Sequence, residues 1–397
     1  MNNSIEIDLN RLQTPYYLIS EEVLSDNIKS FQGALNQLWP NSYLSYSVKT
    51  NSLPWLLSYI KEKQIMAEVV SDEEYQLAKL KGYKDCEIVF NGPIKGEIIF
   101  REACMNGAYV NLDSKNDIKL IKKYGKKNTN VGIRVNVDPS VFDERDIGYA
   151  RDGFRFGFSE ESGELSEVIS VVKDVCGENR LGLHMHCNSI TRSKSVYVEL
   201  AKYVVNIIKK YKFTPSFIDM GGGYFGGVPG KTTAYEYIKA IKDELLDIIN
   251  PDETKLIIEP GSAIIGSAVD LHTSVVDTKD TPKARIVTTN GSRIHIDPLW
   301  KKNNYLYTIN QTESKEIKDR QVICGYTCMD HDRLMIIENQ PELCVGDEIV
   351  YRRVGAYSMT FGGMFINYYP DVYVDDGKKV IKVRTKINVN DYDSLHS

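Results

Sequence analysis

Lys49, Glu259 and the triplet Gly221-Gly222-Gly223 are the residues whose types most directly suggest chemistry in this sequence. Lys49 lies in the stretch YSVKTN (46–51). Leu44, Tyr46 and Val48 alternate with Ser45, Ser47 and Lys49, so the ammonium shares the small, polar side of a strand pattern. A lysine in surroundings that favour the neutral amine can form a Schiff base with a carbonyl. The plain structural alternative is a strand-end lysine pointing into water. Three glycines after a strand let backbone N–H groups approach an anion, typically phosphate, although a flexible turn would read the same. A glutamate opposite can keep a heterocyclic nitrogen protonated. Phosphate cradle, Schiff-base lysine and carboxylate together fit pyridoxal phosphate.

These residues need a scaffold that brings distant strand ends together. From residue 20 the chain alternates helical and strand patterns. Runs that read as strands lie at 43–49, 66–70, 86–91, 108–113, 131–137, 180–186, 216–222 and 255–261. A helix is predicted over 21–38. Stripes at Val196, Leu200, Val204, Ile207 and Tyr211, and at Tyr237, Ile241, Leu245 and Ile248, predict two more. Eight such units predict an α/β fold, a (β/α)8 TIM-like barrel over 21–265, with a doubly wound sheet as the alternative. Beyond 265 strand patterns follow one another without convincing helices. VYVDDGKKVIKVRTK (372–386) predicts a hairpin turning at Asp375-Asp376-Gly377. A C-terminal all-β domain is therefore expected over 266–397, with 1–20 adding a strand.

In a barrel of this kind the active site lies at the C-terminal strand ends. Lys49, Glu68 with Ser71, Asn91, Asp113, Arg134, His184 with His186, the glycine triplet and Glu259-Pro260-Gly261 all fall there. His184 and His186 form an H-x-H pair that a metal could use. His272, His295, His331 and His396 fall outside the barrel, however, and no further ligands complete a site, so no metal is expected. His186 is better placed to stack on a cofactor ring, and His184 reads as a hydrogen-bonded core histidine.

The bulk numbers exclude several classes. The 397 residues are 42% hydrophobic and 26% charged, with net charge −5, which gives no reason to expect nucleic acid or an anionic membrane as partner. No apolar run is long enough to span a bilayer, and the N-terminus lacks the order of a signal peptide. Seven cysteines without disulfide-like spacing predict a reducing, cytoplasmic setting.

Several segments, in order, resemble the fold-type III pyridoxal phosphate decarboxylases, the family of diaminopimelate, ornithine and carboxynorspermidine decarboxylases, built on an alanine-racemase-like barrel. TPYYLI (14–19) resembles the family's opening strand, and YSVKTN resembles its Y-x-V-K-x-N. HCNS (186–189) resembles H-[IV]-G-S, DMGGGYFGG (219–227) the phosphate loop, and EPG (259–261) the start of E-P-G-R. GYTCMDHD (325–332) resembles G-x-x-C-[DE]-x-x-D, and GAYSM (355–359) a C-terminal G-A-Y. The resemblance implies that Lys49 carries the cofactor, His186 stacks on its ring and Glu259 pairs with its nitrogen. It implies that Ser189, Gly221, Gly222, Gly223, Gly261 and Tyr357 hold the cofactor, chiefly at the phosphate. It further implies a homodimer with shared active sites. Cys328 would then act in the partner's site as the acid that reprotonates the substrate carbon, beside the substrate-side residues Met329, Asp330, Asp332 and Asp297. The small-molecule substrate would be an amino acid that loses its α-carboxylate.

The sequence departs from the family at informative places. Ser262 stands where an arginine usually follows E-P-G, so one cation is missing. Met329 replaces an acid that meets a distal amine, and Asn188 replaces a glycine. IDPLW (296–300) sits about where diaminopimelate enzymes carry R-P-x-L-Y, so their substrate arginine is absent. Ordinary diaminopimelate or ornithine specificity is therefore not expected. Two alternatives stay open: an amino-acid racemase on the same fold, which usually pairs the ring nitrogen with arginine, and a non-catalytic cofactor-binding homologue.

Overall fold

The computed structural model describes residues 12–302, 304–311 and 316–397. They divide into two compact units, one of Asn27–Ile264 and one joining residues up to Asp26 to Ile265–Ser397. The chain begins with strand β1 (Tyr16–Ser20) and helix α1 (Glu21–Leu38). Ser20 Oγ accepts from the N–H of Val23, and the buried Leu24, Ile28, Phe31 and Leu35 form the apolar stripe that makes this segment helical.

The first unit continues through β2 (Ser42–Ser47), α2 (Pro54–Glu62), β3 (Met66–Val69), α3 (Asp72–Leu80), β4 (Ile88–Phe90), α4 (Glu97–Asn106), β5 (Tyr109–Leu112) and α5 (Lys115–Tyr124). Then come β6 (Asn130–Asn136), a two-residue β7 (Phe158–Ser159), α6 (Glu164–Cys176), β8 (Leu181–Met185), α7 (Lys194–Tyr211), β9 (Phe217–Asp219), α8 (Ala234–Leu245), β10 (Lys255–Ile258) and a single turn, α9 (Ser262–Ile265). The parallel strands run β2-β3-β4-β5-β6-β8-β9-β10, and β10 pairs with β2, closing an eight-stranded barrel; β7 pairs only with β6. The doubly wound alternative is thereby excluded.

Period two along each strand stacks the barrel in layers. Met66, Val89, Phe217 and Ile257 form a buried apolar layer, with Tyr43 and Tyr109 packed against it. A Cβ on Gly182 would lie 2.4 Å from the Phe217 ring, so glycine leaves room for this large side chain. Two residues further along the same strands stand Ser45, Glu68, Asn91, Asn111, Asp219 and Glu259, all buried. The apolar layer thus positions a polar one directly above it.

In the second unit follow β11 (Val269–Asp280), β12 (Arg285–Thr289), α10 (Arg293–Ile296), β13 (Tyr307–Asn310), β14 (Ile317–Cys324), β15 (Arg333–Pro341), β16 (Glu348–Tyr351), α11 (Ser358–Phe361), β17 (Asp371–Asp375), β18 (Val380–Arg384) and α12 (Val389–His396). Its sheet runs β15-β14-β12-β11-β1-β17-β18, with β16 bridging β11 and β13. The β17–β18 hairpin has the expected turn, and β1 lies between β11 and β17. Residues 1–11 of the expected N-terminal segment lie outside the described residues.

Two readings need correction. The all-β region does contain helices; α12 has Asn388 as N-cap, accepting from the N–H groups of Asn390 and Asp391, a short polar start that apolar periodicity overlooks. Ile248 lies beyond α8, and it is Ile249 that is buried. Among the described residues no helix is long and apolar enough to cross a membrane.

Candidate active site

Lys49 does not end a strand. Strand β2 stops at Ser47, and Lys49 lies in a single 3-10 turn, Val48–Thr50. A Cβ on Gly261 would lie 2.0 Å from Thr50 Oγ1, so only glycine lets the segment after β10 pass this turn. The Lys49 side chain is half-exposed, and its Nζ donates to Glu68 Oε2 at 2.7 Å, Glu68 Oε1 at 3.0 Å and Ser47 Oγ at 2.9 Å. Ser47 Oγ in turn donates to Glu68 Oε2.

From Glu68 a polar chain crosses the barrel. Asn91 Nδ2 donates to Glu68 Oε1 at 3.0 Å and to Glu259 Oε1 at 2.8 Å. Asn111 Nδ2 donates to Asn91 Oδ1 at 2.7 Å and to Asp219 Oδ2 at 2.9 Å, and Asp219 Oδ1 accepts from the N–H of Gly221. Lys49 and Glu259 are therefore linked through Glu68 and Asn91. Burial, reinforced by the charges of Asp219 and Glu68, holds the Glu259 carboxyl well above the usual carboxylate range. Burial also pushes Asp219 up to about 6, and the two carboxyls bring an oxygen each within 4.8 Å of one another. Two acids so close in a low-dielectric wall disfavour each other's ionisation.

The glycine loop after β9 is built for close approach. Gly221 and Gly223 have φ of +61° and +95°, where a side chain is strained. A Cβ on Gly222 would lie 2.5 Å from the Glu259 carbonyl oxygen, and one on Gly221 would lie 2.8 Å from His186 Cβ and Nδ1. His186 is thus set against the glycine loop; burial first, then the Arg134 and Lys49 charges, lower its pKa to about 3 and keep the ring neutral.

His184 is not a hydrogen-bonded core histidine. It is buried, neither ring nitrogen has a hydrogen-bond partner among the described residues, and its Nε2 stands 3.8 Å from Glu259 Oε2. Burial holds its pKa well below the usual value. His184, Asp219 and Glu259 bring one ligand-type atom each within 4.8 Å of one another, a group that does not include His186.

Ser189 also differs from expectation. Its hydroxyl donates to the Asp146 carbonyl and accepts from the Arg192 N–H, so it organises the loop between β8 and α7. Arg134 donates from Nη1 to Asp113 Oδ2 at 3.0 Å and lies over the Phe156 ring.

In the second unit Cys328 and Asp330 are exposed. Asp332 is 2% exposed, and its carboxylate accepts from Ser292 Oγ, the N–H groups of Arg293 and Thr327, and Thr327 Oγ1. Asp297 is equally occupied by Arg293, the N–H groups of Lys301 and Lys302, and Tyr305. Both acids hold loops together through these bonds, a structural use the sequence did not indicate. Tyr357 adopts φ +64° at the start of α11. Met329 lines an apolar cavity with Ile294, Trp300, His331 and Phe365.

Reading the sequence for strand ends placed Glu68 and Asn91 near the site but gave them no role, and it passed over Asn111, Asp219 and Arg192. The signal for the first four was present: each lies two residues beyond an apolar barrel-layer position.

The residues fit pyridoxal phosphate. A loop without side chains suits a phosphate, a buried acid pair suits a ring nitrogen, and a lysine lies on the same hydrogen-bonded chain. Comparison with known proteins gives the same result. Residues 24–266 match the family described as pyridoxal-dependent decarboxylase, pyridoxal binding domain. The diaminopimelate decarboxylase of Archaeoglobus fulgidus is 27% identical over 89% of this chain and 85% of its own. That of Aquifex aeolicus is 27% identical over 94% of this chain and 89% of its own. Among solved structures, the fold matches diaminopimelate decarboxylase from M. jannaschii with a TM-score of 0.84, at 22% identity over 97% of this chain and 92% of that one. It also matches the Paramecium bursaria Chlorella virus arginine decarboxylase with a TM-score of 0.75, at 21% identity over 92% and 97% of the two chains. The chain belongs to the pyridoxal-dependent decarboxylases, enzymes that use pyridoxal phosphate to remove the α-carboxylate of an amino acid.

Proposed function

We propose that this decarboxylase acts on an amino acid whose distal group is neither a free ammonium nor a free carboxylate, in a homodimer whose subunits share active sites. Pyridoxal phosphate, when bound, supplies the sink for the electron pair left by CO2. Lys49 Nζ is the attachment point of the resting cofactor. Glu68, which accepts from Nζ through both oxygens, is placed to take the proton that must leave the ammonium before it can attach. Glu259 keeps a proton on the ring nitrogen, with Asn91 fixing the carboxyl and the nearby Asp219 charge favouring retention of the proton. His186 supports one face of the ring, while Gly221, Gly222, Gly223 and Gly261 leave room for the phosphate and the lysine turn. Tyr357 contributes to phosphate binding. Cys328, exposed and free, is the candidate acid toward the partner's site.

The hydrogen-bonded path from Lys49 through Glu68 and Asn91 to Glu259 carries this reading. An acid rather than an arginine at the ring nitrogen supports decarboxylation over racemisation. The substrate class is supported by the second unit. Met329 faces an apolar cavity, and Asp297 and Asp332 each already accept several hydrogen bonds from their own loops. A distal ammonium would meet a thioether that cannot offset its desolvation. Arg293, next in sequence to the cavity residue Ile294, is held by Asp297 and so is not free to pair with a distal carboxylate. Although the relatives from Archaeoglobus fulgidus and Aquifex aeolicus are named for diaminopimelate, this chain is expected to prefer a different or extended distal group. Seven free cysteines support a reducing, cytoplasmic setting. The test is to incubate purified protein with candidate amino acids and score CO2 release and product mass. Efficient turnover of ornithine, lysine or meso-diaminopimelate, with kcat/KM of roughly 10⁴ M⁻¹s⁻¹ or more, would refute the substrate assignment.

A further inference from the structure

Ser262 leaves the glycine loop without the cation expected beside it, and the structure places another one there. Arg192, on the loop between β8 and α7, donates from Nη1 to Ser262 Oγ at 3.0 Å. Its guanidinium lies 5.5 Å from the ring centroid of Phe225, a residue of the glycine loop itself. Arg192 therefore borders both segments that form the cradle, the loop Gly221–Gly227 and the turn that follows Glu259.

Its backbone is held in an unusual state. Arg192 has φ +53°, a left-handed conformation that a non-glycine residue keeps only when its surroundings impose it. They do so here. Ser189 Oγ accepts the Arg192 N–H at 2.8 Å, and Tyr237 Oη donates to its carbonyl at 2.6 Å. The Phe225 N–H reaches the same Tyr237 oxygen at 3.5 Å, tying the arginine's backbone to the glycine loop. Ser189, in turn, is anchored to the Asp146 carbonyl.

The head of the side chain is not spent in the same way. Among the described residues no carboxylate lies within ion-pair distance of Arg192, and Ser262 takes one of the five N–H donors of its guanidinium. A purely structural arginine at a part-buried position would be expected to have an acidic partner, as Arg134 has in Asp113 and Arg293 in Asp297. A fixed, part-buried, uncompensated guanidinium beside a loop stripped of side chains is a site for an anion.

We infer that Arg192 is the phosphate-binding cation of this enzyme, moved from the position of Ser262 to the loop after β8 and held over the glycine cradle by Ser262 and Phe225. The inference rests on the glycine loop being the phosphate cradle. Ser189 then acts through Arg192, as a positioning residue that sets its backbone.

The test compares binding of pyridoxal phosphate and of pyridoxal, which lacks the phosphate, to the full-length protein freed of cofactor. Dissociation constants are read from absorbance or fluorescence. Wild-type protein should bind the phosphorylated form far more tightly. Arg192→Gln should weaken that binding by roughly 10- to 100-fold, the range of a lost charge-assisted hydrogen bond, and leave pyridoxal binding unchanged. Arg192→Lys should fall between the two. The double variant Arg192→Gln with Ser262→Arg should recover much of the lost affinity, because it returns a cation to the cradle from the other side. Recovery would also show that the loop still folds without Arg192. If wild type does not distinguish the two ligands, the cradle itself is misassigned. If wild type distinguishes them and Arg192→Gln does so equally well, the cradle stands and the role of Arg192 is overturned.

Discussion

Burial works against ionisation of both Glu259 and Asp219. They are buried in the barrel wall with an oxygen each within 4.8 Å of one another, and both are shifted upward, by burial first and then by each other's charge or that of Glu68. Such an acid retains a proton in the folded state that the unfolded chain releases at a pH of roughly 4. The sign for the cofactor-free protein follows from that difference. No penalty exists below the unfolded pKa values, and stability is lost as pH rises from there toward the folded ones, near 6 for Asp219. Glu259→Gln removes one acid and lets the amide donate to Asp219, so the stability of the cofactor-free variant should fall less over pH 4–7 than that of wild type. Urea unfolding at several pH values reads this out, and parallel curves would mean that burial does not raise the Glu259 carboxyl. With cofactor bound, the same variant should lose activity by about 10² or more, since an amide cannot hold the ring proton as a carboxylate does. At this scale the sequence revealed types but not bonding. Lys49 and Glu259 were legible because a lysine and an acid just past the ends of barrel strands demand an explanation. The occupation of Asp297 and Asp332 was not, because spacing shows that a carboxylate is present and not how many donors already surround it. Arg192 was equally hidden: its place depends on a positive φ and on a serine seventy positions away.

The elements act through how closely they let backbones approach. Gly222→Ala would put a Cβ 2.5 Å from the Glu259 carbonyl oxygen, so the loop must move off the strand that carries the acid. The expected result is a folded barrel that no longer retains cofactor through gel filtration, whereas wild type does. Gly33→Ala is the contrasting case. Gly33 lies exposed within α1, nothing lies within 4 Å of its new Cβ, and the change should stabilise by about 0.5–1 kcal/mol. A further constraint is the fully buried pair Lys95–Asp117. Lys95 Nζ donates to Asp117 Oδ2 at 2.8 Å and to the Gly92 carbonyl at 2.6 Å, joining the loop after β4 to the first turn of α5. Lys95→Met would leave Asp117 buried without its counter-charge and should cost about 3–5 kcal/mol in denaturant unfolding. Long elements such as α1 and α7 were legible because many apolar positions repeat their period. The turn at Lys49, the two-residue β7 and α12 were not, because each is too short for periodicity to register and is set by local hydrogen bonds.

For the whole molecule, the candidate residues fall in two separate units of the chain. Lys49, Glu68, His186 and Glu259 belong to the barrel unit, Cys328 and Tyr357 to the β unit. If a site is completed by the Cys328 segment of a second subunit, two differently damaged subunits carry complementary halves. Lys49→Ala cannot attach cofactor, and Cys328→Ala cannot deliver its proton. In a mixed two-fold dimer one site combines both lesions, and the other combines an intact lysine with an intact cysteine. Each variant alone should be nearly inactive. After subunit exchange at equal concentrations half of the dimers are mixed and half of their sites are whole, so activity should return to about a quarter of wild type. Subunits carrying two different tags, recovered together, establish that exchange has taken place. Absence of recovery in such a sample would place both residues in the same subunit's site or remove Cys328 from the chemistry. Those two outcomes separate at once, because in the second the Cys328→Ala protein alone retains its turnover.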